Sequence, residues 1–255
     1  MRYWQVTDGA LSYEFNMQVR RWPMWIAMLG TAGFTFYAYL INDQNNLYSL
    51  PARDATIHWA NFFNLLLPAG FGVILADRLI RDQRVKVNEL FFALPGSSSA
   101  RLLGGYLGST LATIIPVVLV YAAGVSYIFF RLGDPEAFWV ALLAFAAVNL
   151  PGLLFVGAFS VGLPLIIWLP LYQFLFVGYW FWGNALPASV GIPTLSRTLL
   201  TPLGEYRTSG FFGESDGPFH TNLEGAVIST VLMLGLSALA LLVTARYQTW
   251  RQARR

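Results

Sequence analysis

Cysteine is absent from this chain of 255 residues, and charged residues are scarce. Without a thiol, the chain has no disulfide framework, no thiolate metal site and no cysteine nucleophile. Asp, Glu, Lys and Arg supply 11% of the residues, against roughly 25% in soluble globular domains. The 60 positions from Ala137 to Ser196 carry no charge, although about 20 apolar residues are enough for a helix to cross a bilayer. The composition therefore predicts a membrane protein.

Motifs for catalysis and for cofactor binding are also missing. The two histidines, His58 and His220, are far apart and belong to no motif with the spacing of metal or haem ligands. Lys86 is the only lysine, and no phosphate-binding loop surrounds it. The Gly-x-Ser-x-Gly motif of serine hydrolases does not occur. We therefore expect no catalytic residue, no metal site and no cofactor in this chain.

Six runs of the sequence are apolar, free of charged residues and long enough to cross a bilayer as helices. They cover residues 23–41, 55–76, 102–130, 137–160, 164–182 and 225–245. Glycine and proline cluster at 157–164, which predicts the turn between the fourth and fifth runs. The predicted fold is an all-α membrane protein, a single transmembrane domain over residues 1–255 with six transmembrane helices. Polar residues inside the runs are neutral, which disfavours transport coupled to protons or sodium ions.

Basic residues are divided unevenly between the two sides of the predicted membrane domain. Six spans place both termini on one side, and that side carries twelve of the 16 Lys and Arg residues but five of the 13 acidic ones. Because basic loops stay in the cytoplasm, we predict a multi-pass protein of a bacterial-type plasma (inner) membrane with both termini cytoplasmic. The net charge of +3 is the sum of this asymmetry, so no nucleic-acid partner is expected.

An apolar stripe at helical spacing runs through residues 8–22. The stripe consists of Leu11, Phe15, Val19 and Trp22. It predicts an amphipathic helix on the inner membrane surface, in contact with lipid, with Arg20 and Arg21 facing anionic head groups. The alternative is that these residues are only a polar flank of the first span.

Small residues spaced four apart predict close contacts between helices in two of the runs. The two pairs are Gly104 with Gly108, and Ala240 with Thr244.

The segment 77–101 is the most charged part of the chain. Opposite charges four residues apart predict that the second span continues as a helix in water. These pairs are Asp77 with Arg81 and Arg78 with Asp82. An apolar stripe follows at helical spacing, made of Ile80, Val87, Phe91 and Leu94, until Pro95 and Gly96 end the helix. The predicted cytoplasmic helix, residues 78–95, either binds a partner or packs against the inner ends of the spans.

The segment 185–203 is apolar but interrupted by Pro187, Gly191 and Pro193. It is too short for two further crossings, so we predict a re-entrant or interface hairpin, followed by a polar loop through Phe219. The alternative is a disordered loop.

The loop between the second and third runs resembles the corresponding loop of type-2 ATP-binding-cassette transporter permeases. The matching motifs are Asp77-Arg78, Arg81-Asp82, Asn88-Glu89-Leu90, Ala93-Leu94-Pro95 with Ser97, and Arg101-Leu-Leu-Gly-Gly-Tyr-Leu-Gly108. The paired arginines before the first span and Tyr179-Trp-Phe-Trp-Gly-Asn184 in the fifth extend the resemblance over nearly the whole chain. One departure is Gly105, where family members often carry a basic residue.

The resemblance implies that the chain is the permease subunit of an exporter and not itself an enzyme. A second permease, identical or different, would pair with it, and cytoplasmic ATP-binding-cassette ATPase subunits would carry the ATP and Mg. The helix 78–95 would be the coupling helix that contacts the ATPase. The residues predicted to couple the two proteins are Arg84, Val87, Glu89, Phe91 and Leu94. The transported substrate stays open.

A substrate path is implied where the fifth span meets the first and second at the subunit interface. Its predicted lining consists of Asn61, Asn64, Tyr172, Gln173, Phe176, Tyr179 and Trp180. The alternative for the aromatic rings is that they face lipid. Two other functions are kept beside export: a membrane-embedded enzyme or assembly factor without transport, and a passive channel.

Overall fold

The computed structural model describes residues 3–41, 49–78, 80–81, 97–186, 191–213 and 220–254, and these contain helices and loops but no strand. The described residues form eight helices: α1 (Tyr3–Val19), α2 (Trp22–Phe36), α3 (Ala52–Ala76), α4 (Ser98–Leu132), α5 (Glu136–Leu165), α6 (Leu169–Gly178), α7 (Glu205–Phe212) and α8 (Leu223–Ala253). Wider π-helical turns extend α2 through Tyr37–Ile41 and α6 through Tyr179–Ala185. The predicted all-α fold is confirmed.

Four helices are long and apolar enough to cross a bilayer, namely α3, α4, α5 and α8. Their 25 to 35 residues correspond to at least about 37 Å of helix, more than the ~30 Å of a bilayer core. They match the second, third, fourth and sixth predicted spans. The first and fifth predicted spans correspond to α2 and α6, whose α-helical parts have 15 and 10 residues and do not belong to this group of four.

The turn after the fourth span lies later than the sequence predicted. α5 continues through the predicted turn at 157–164 to Leu165, and the chain turns at 166–168 instead. Gly157 lies inside the helix, where a Cβ would be 3.1 Å from Thr110 Oγ1 of α4. Gly162 similarly faces Thr244 of α8, with no room for a side chain between them. These glycines therefore serve contacts between helices, which also confirms the predicted close packing at Thr244.

The helices share two common ends. Ser98 Oγ at the start of α4 donates to Gln248 Oε1 near the end of α8 at 3.4 Å, and we call this end of the bundle basal. At the opposite, distal end, Arg53 Nη2 at the start of α3 donates to the Phe212 carbonyl at 2.8 Å. α3 and α5 are the most buried of the four long helices: 61% of the most apolar stretch of each is buried inside the fold, against 22% for the peripheral α8.

The chain between α6 and α8 only partly follows the prediction. In the described part of the predicted hairpin 185–203 the chain doubles back, since the Leu195 N–H donates to the Gly183 carbonyl at 2.5 Å, and no helix is present from Leu186 to Gly204. Residues 187–190 lie outside the description. The predicted polar loop contains the helix α7, which Gly204 and Gly213 bound with φ angles of 100° and 72°. Eight residues are too few for a helical periodicity to be recognised.

Candidate functional site

The predicted coupling residues Arg84, Val87, Glu89, Phe91 and Leu94 lie outside the described residues, as does most of the helix 78–95. The structure describes both flanks of the segment, up to Arg81 and again from Ser97. The Arg81 N–H donates to the Asp77 carbonyl at 3.0 Å, so helical hydrogen bonding continues past the end of α3. The basal ends of α3 and α4 therefore show how this segment is attached to the bundle.

Two ions at the end of α3 have partners that the sequence did not predict. Asp82, the predicted partner of Arg78, lies outside the described residues. Arg78 pairs with Glu14 of α1, and Asp77 pairs with Arg21, the residue before α2, at 3.7 Å. Arg81, the predicted partner of Asp77, is exposed. Pairs within one helix were predicted because sequence spacing shows only local neighbours, whereas α1 brings a carboxylate from 64 residues away.

The Glu14–Arg78 pair is buried. The exposed fraction is 1% for the Arg78 side chain and 8% for that of Glu14. Arg78 Nε donates to Glu14 Oε2 at 2.6 Å, and Nη2 contacts the same oxygen. In a buried pair each charge compensates the desolvation of the other, so losing one partner leaves an unpaired buried charge. This contact ties α1 to the basal end of α3.

Helix α1 is a separate helix that lies along α4. Arg21 is extended between α1 and α2, so the interpretation of α1 as a mere flank of the first span is wrong. The buried residues of α1 are Thr7, Glu14 and Gln18, not the predicted apolar stripe. Its Gln18 donates to Thr113 Oγ1 of α4 at 3.4 Å. The stripe residues Leu11, Phe15 and Val19 are half-buried, and Trp22 is exposed.

Glycines on α4 allow the two helices to approach. A Cβ added at Gly104 would overlap the Thr7 carbonyl oxygen, and one at Gly108 would overlap that of Leu11. Main chain therefore packs against main chain, as the small residues predicted. Because the contacts advance together along both helices, α1 runs beside α4. This differs from the predicted helix lying flat on the membrane surface.

A second polar cluster lies halfway along the bundle, where residues 201–208 enter between α3 and α5. Asn64 Nδ2 donates to the Pro202 carbonyl at 3.0 Å and also to that of Leu203. Thr208 Oγ1 donates to Asn61 Oδ1 at 2.6 Å. Asn64 is the central residue of α3, about 18 Å from the first residue of the helix. Two of the predicted path residues are therefore brought together by a segment that re-enters the bundle.

Arg207 of α7 is fully buried in this cluster. Its Nη2 donates to the carbonyls of Val148 at 2.9 Å and Pro202 at 3.0 Å, and Nη1 donates to that of Thr201 at 3.4 Å. Among the described residues, no carboxylate pairs with it. Burial lowers the pKa of Arg207 to about 10, which leaves the guanidinium protonated at neutral pH. The sequence placed Arg207 with the basic residues of an outer loop, so its burial is a correction.

The predicted path residues of α6 form a different surface. Tyr172, Phe176 and Trp180 are buried against the bundle. The Tyr172 hydroxyl is 2.8 Å from Ser160 Oγ, and Trp180 Nε1 donates to the Leu65 carbonyl at 2.6 Å. These three rings neither face lipid nor line an open path, since they fill the core of this chain. Gln173 and Tyr179 are half-buried beside them.

Comparisons with protein-family models, with curated proteins and with solved structures find no match. Within the described residues, no group of three or more His, Asp or Glu side chains is placed to hold a metal ion. The candidate sites of the chain are therefore two clusters: the ion pairs at the basal end and the polar residues around Arg207.

Proposed function

We propose that this chain is the permease subunit of an ATP-driven exporter of the type-2 ATP-binding-cassette class. In this proposal α2 and α6 join the four long helices as spans, and the basal end with both termini is cytoplasmic. A second permease subunit completes the path through the plasma membrane. A separate ATPase subunit binds ATP and Mg and contacts the coupling residues between α3 and α4.

The main support for the proposal is that α1 contacts both flanks of residues 82–96. On one flank, Glu14 holds Arg78 at the end of α3. On the other flank, the main chain of α1 packs on Gly104 and Gly108 near the start of α4. A displacement of the intervening segment is therefore passed to α1, α3 and α4 together. An exporter needs such a rigid connection to convert closure of the ATPase into movement of the spans.

The faces of α2 and α6 support their assignment as spans. α2 buries Met24 and Met28 on one face, whereas Ile26 and Phe34 on the other face are exposed. α6 likewise exposes Phe174 and Trp182. Apolar side chains on such outward faces are favourable in lipid or against a second subunit. The exposed aromatic residues of α1, Tyr3, Trp4 and Tyr13, give the basal end a surface for lipid as well.

The proposal is tested by whether an ATPase co-purifies with the chain and whether this depends on residues 82–96. A buried aromatic anchor is the kind of interface residue whose loss costs about 2 kcal/mol or more, whereas an exposed charge contributes under about 1 kcal/mol. We therefore expect Phe91→Ala to reduce the ATPase recovered with a tagged chain from its native membrane by at least about tenfold. Glu89→Ala should retain the ATPase.

The matched control is Phe130→Ala, which removes an exposed ring at the distal end of α4. It should leave ATPase recovery unchanged. Recovery of no ATPase with the unaltered chain would favour a passive channel, or an enzyme or assembly factor without transport. If Phe91→Ala retains the ATPase but lowers the melting temperature, the apolar stripe packs on the bundle's own basal end and the coupling assignment is wrong.

A further inference from the structure

Arg207 is a buried cation without a counter-charge among the described residues. Nη1 and Nη2 donate to three main-chain carbonyls, and Nε has no hydrogen-bond partner. Main-chain carbonyls carry only partial charge, so they compensate a guanidinium less well than an anionic oxygen does. A charged side chain buried in a membrane domain without a partner is costly, and such residues commonly mark a ligand or ion pathway.

Three acceptor or hydroxyl groups next to Arg207 are also buried without a partner. They are Asn64 Oδ1, Asn149 Oδ1 and Thr201 Oγ1. Asn64 Nδ2 already donates to the Pro202 carbonyl, and Asn149 Nδ2 already donates to the Ala60 carbonyl. Buried polar atoms in native proteins nearly always have partners. Four unsatisfied atoms in one cluster therefore indicate a bound group or water molecules that the protein chain itself does not supply.

The main chain around the cluster is tightly shaped. A Cβ at Gly152 would lie 2.6 Å from the Pro202 carbonyl oxygen, and one at Gly204 would lie 3.2 Å from Asn64 Nδ2. Gly204 has φ of 100°, which favours glycine. Residues 201–204 can thus lie directly on α3 and α5 without side chains between them. The segment is held by hydrogen bonds to neutral groups.

We propose that Arg207, with Asn64 and Asn149, forms an anion-binding site halfway along the bundle that opens to the distal side. The site would bind the acidic group of the exported molecule, a carboxylate, sulfonate or phosphate ester. Arg207 supplies the charge, and the two amide oxygens accept hydrogen bonds from hydroxyl groups or water beside that acid. Identifying the acid as part of the cargo rests on the proposed export function. Anion binding itself does not need the ATPase.

Single cysteines test the site directly, because the natural chain contains no other thiol. Asn61, a half-buried residue bonded to Thr208 on the distal side of the cluster, is replaced with Cys in the full chain in proteoliposomes. We compare the reaction rates of a negatively charged sulfonatoethyl and a positively charged trimethylammonioethyl methanethiosulfonate. The ratio of the two rates cancels any change in the thiolate fraction. Ser49→Cys, at an exposed position of the distal end, gives the reference ratio.

The ratio of the sulfonate rate to the trimethylammonium rate should be about tenfold higher at Asn61→Cys than at Ser49→Cys. The reason is that a nearby cation attracts the sulfonate reagent and repels the other one. Arg207→Gln should abolish this preference, and Arg207→Lys should keep it. If Arg207→Gln does not fold, the site is still tested by the ratio of the two reagent rates at Asn61→Cys, measured with Arg207 intact and with Arg207→Lys.

Two outcomes overturn the anion site: no reaction at Asn61→Cys with either reagent, or a ratio equal to that at Ser49→Cys. Slowing of the sulfonate reaction by excess inorganic phosphate but not by an organic phosphate ester would assign the site to free anions and overturn its assignment to cargo. Slowing by the ester as well supports the acidic group of a larger molecule. Neither result depends on whether an ATPase binds residues 82–96.

Discussion

Glu14 of α1 and Arg78 at the end of α3 form an ion pair, and both of their side chains are almost completely buried. Arg78 also contacts Met17 Sδ at 3.9 Å, so the guanidinium lies between two residues on successive turns of α1. The pair stands one residue beyond the Asp77–Arg21 pair, whose side chains are more exposed, at 35% for Asp77 and 20% for Arg21. Among the described residues, the basal end therefore has a buried ionic contact and a second, more exposed one beside it.

Replacing Glu14 with Gln should strongly destabilise the chain. The change removes the carboxylate that compensates the buried Arg78 cation, a loss of roughly 3 kcal/mol in comparable buried pairs. The melting temperature of the detergent-purified protein measures the effect. Asp8→Asn is the matched control, because it removes an exposed carboxylate from the same helix and should change stability by under about 0.5 kcal/mol. Equal melting temperatures for the two variants would contradict the buried pair.

The glycines of α4 give a second prediction about α1. Gly104→Ala places a methyl group against the Thr7 carbonyl oxygen, and main chain cannot move aside as a flexible side chain can. We expect a loss of about 1 to 3 kcal/mol, typical of overpacking, and faster proteolysis of α1. Gly105→Ala serves as the control, since its Cβ would meet only Glu14 Cγ at 3.8 Å. If both variants are cleaved at the same rate, α1 does not pack on Gly104.

Much of the membrane domain can be predicted from sequence because apolar length is a local property. The spans α3, α4, α5 and α8 follow from charge-free runs of sufficient length. The close contact at Gly104 and Gly108 follows from the size of the residues. Neither inference requires knowledge of which helices are neighbours. α2 and α6 show the limit, because their α-helical parts have 15 and 10 residues and continue as π-helical turns at Tyr37–Ile41 and Tyr179–Ala185.

The candidate sites are harder to predict because their partners are distant in sequence. Glu14 reaches Arg78 across 64 positions, and Asn64 reaches Pro202 across 138. Arg207 lies in a polar, glycine-rich stretch that resembles an ordinary surface loop, and only the packing of α3 and α5 around it makes it a buried residue. The sequence shows only a charged residue near glycine and apolar residues, close to a predicted re-entrant segment. This pattern does not identify Arg207 as a buried residue unless the fold is known.

Membrane orientation can be tested by single cysteines introduced into the thiol-free chain. The positive-inside rule predicts that cysteines at Ser98 and Gln252 are shielded from impermeant reagents in intact cells. Cysteines at Asn45 and Ser215 should be labelled from outside. Permeabilised cells provide the control, since all four positions should then become accessible unless they are buried. Labelling of Ser98→Cys in intact cells would reverse the orientation.

The aromatic face of α6 gives the last prediction, which concerns Phe176, a residue of the predicted substrate path. Phe176 is buried, and a Cβ at Gly72 would overlap its ring, so the ring packs directly on the main chain of α3. Its removal leaves a cavity between α3 and α6, and we expect a loss on the order of 3 kcal/mol.

The matched control is two residues away on the same helix. Phe174 is 76% exposed, so Phe174→Ala removes an identical ring that lies outside the core. Melting temperatures of the two variants in detergent should differ clearly, with Phe174→Ala close to the unaltered chain. A stable Phe176→Ala variant with lost transport would restore the interpretation of Phe176 as a path residue, because a core residue cannot be removed without a loss of stability.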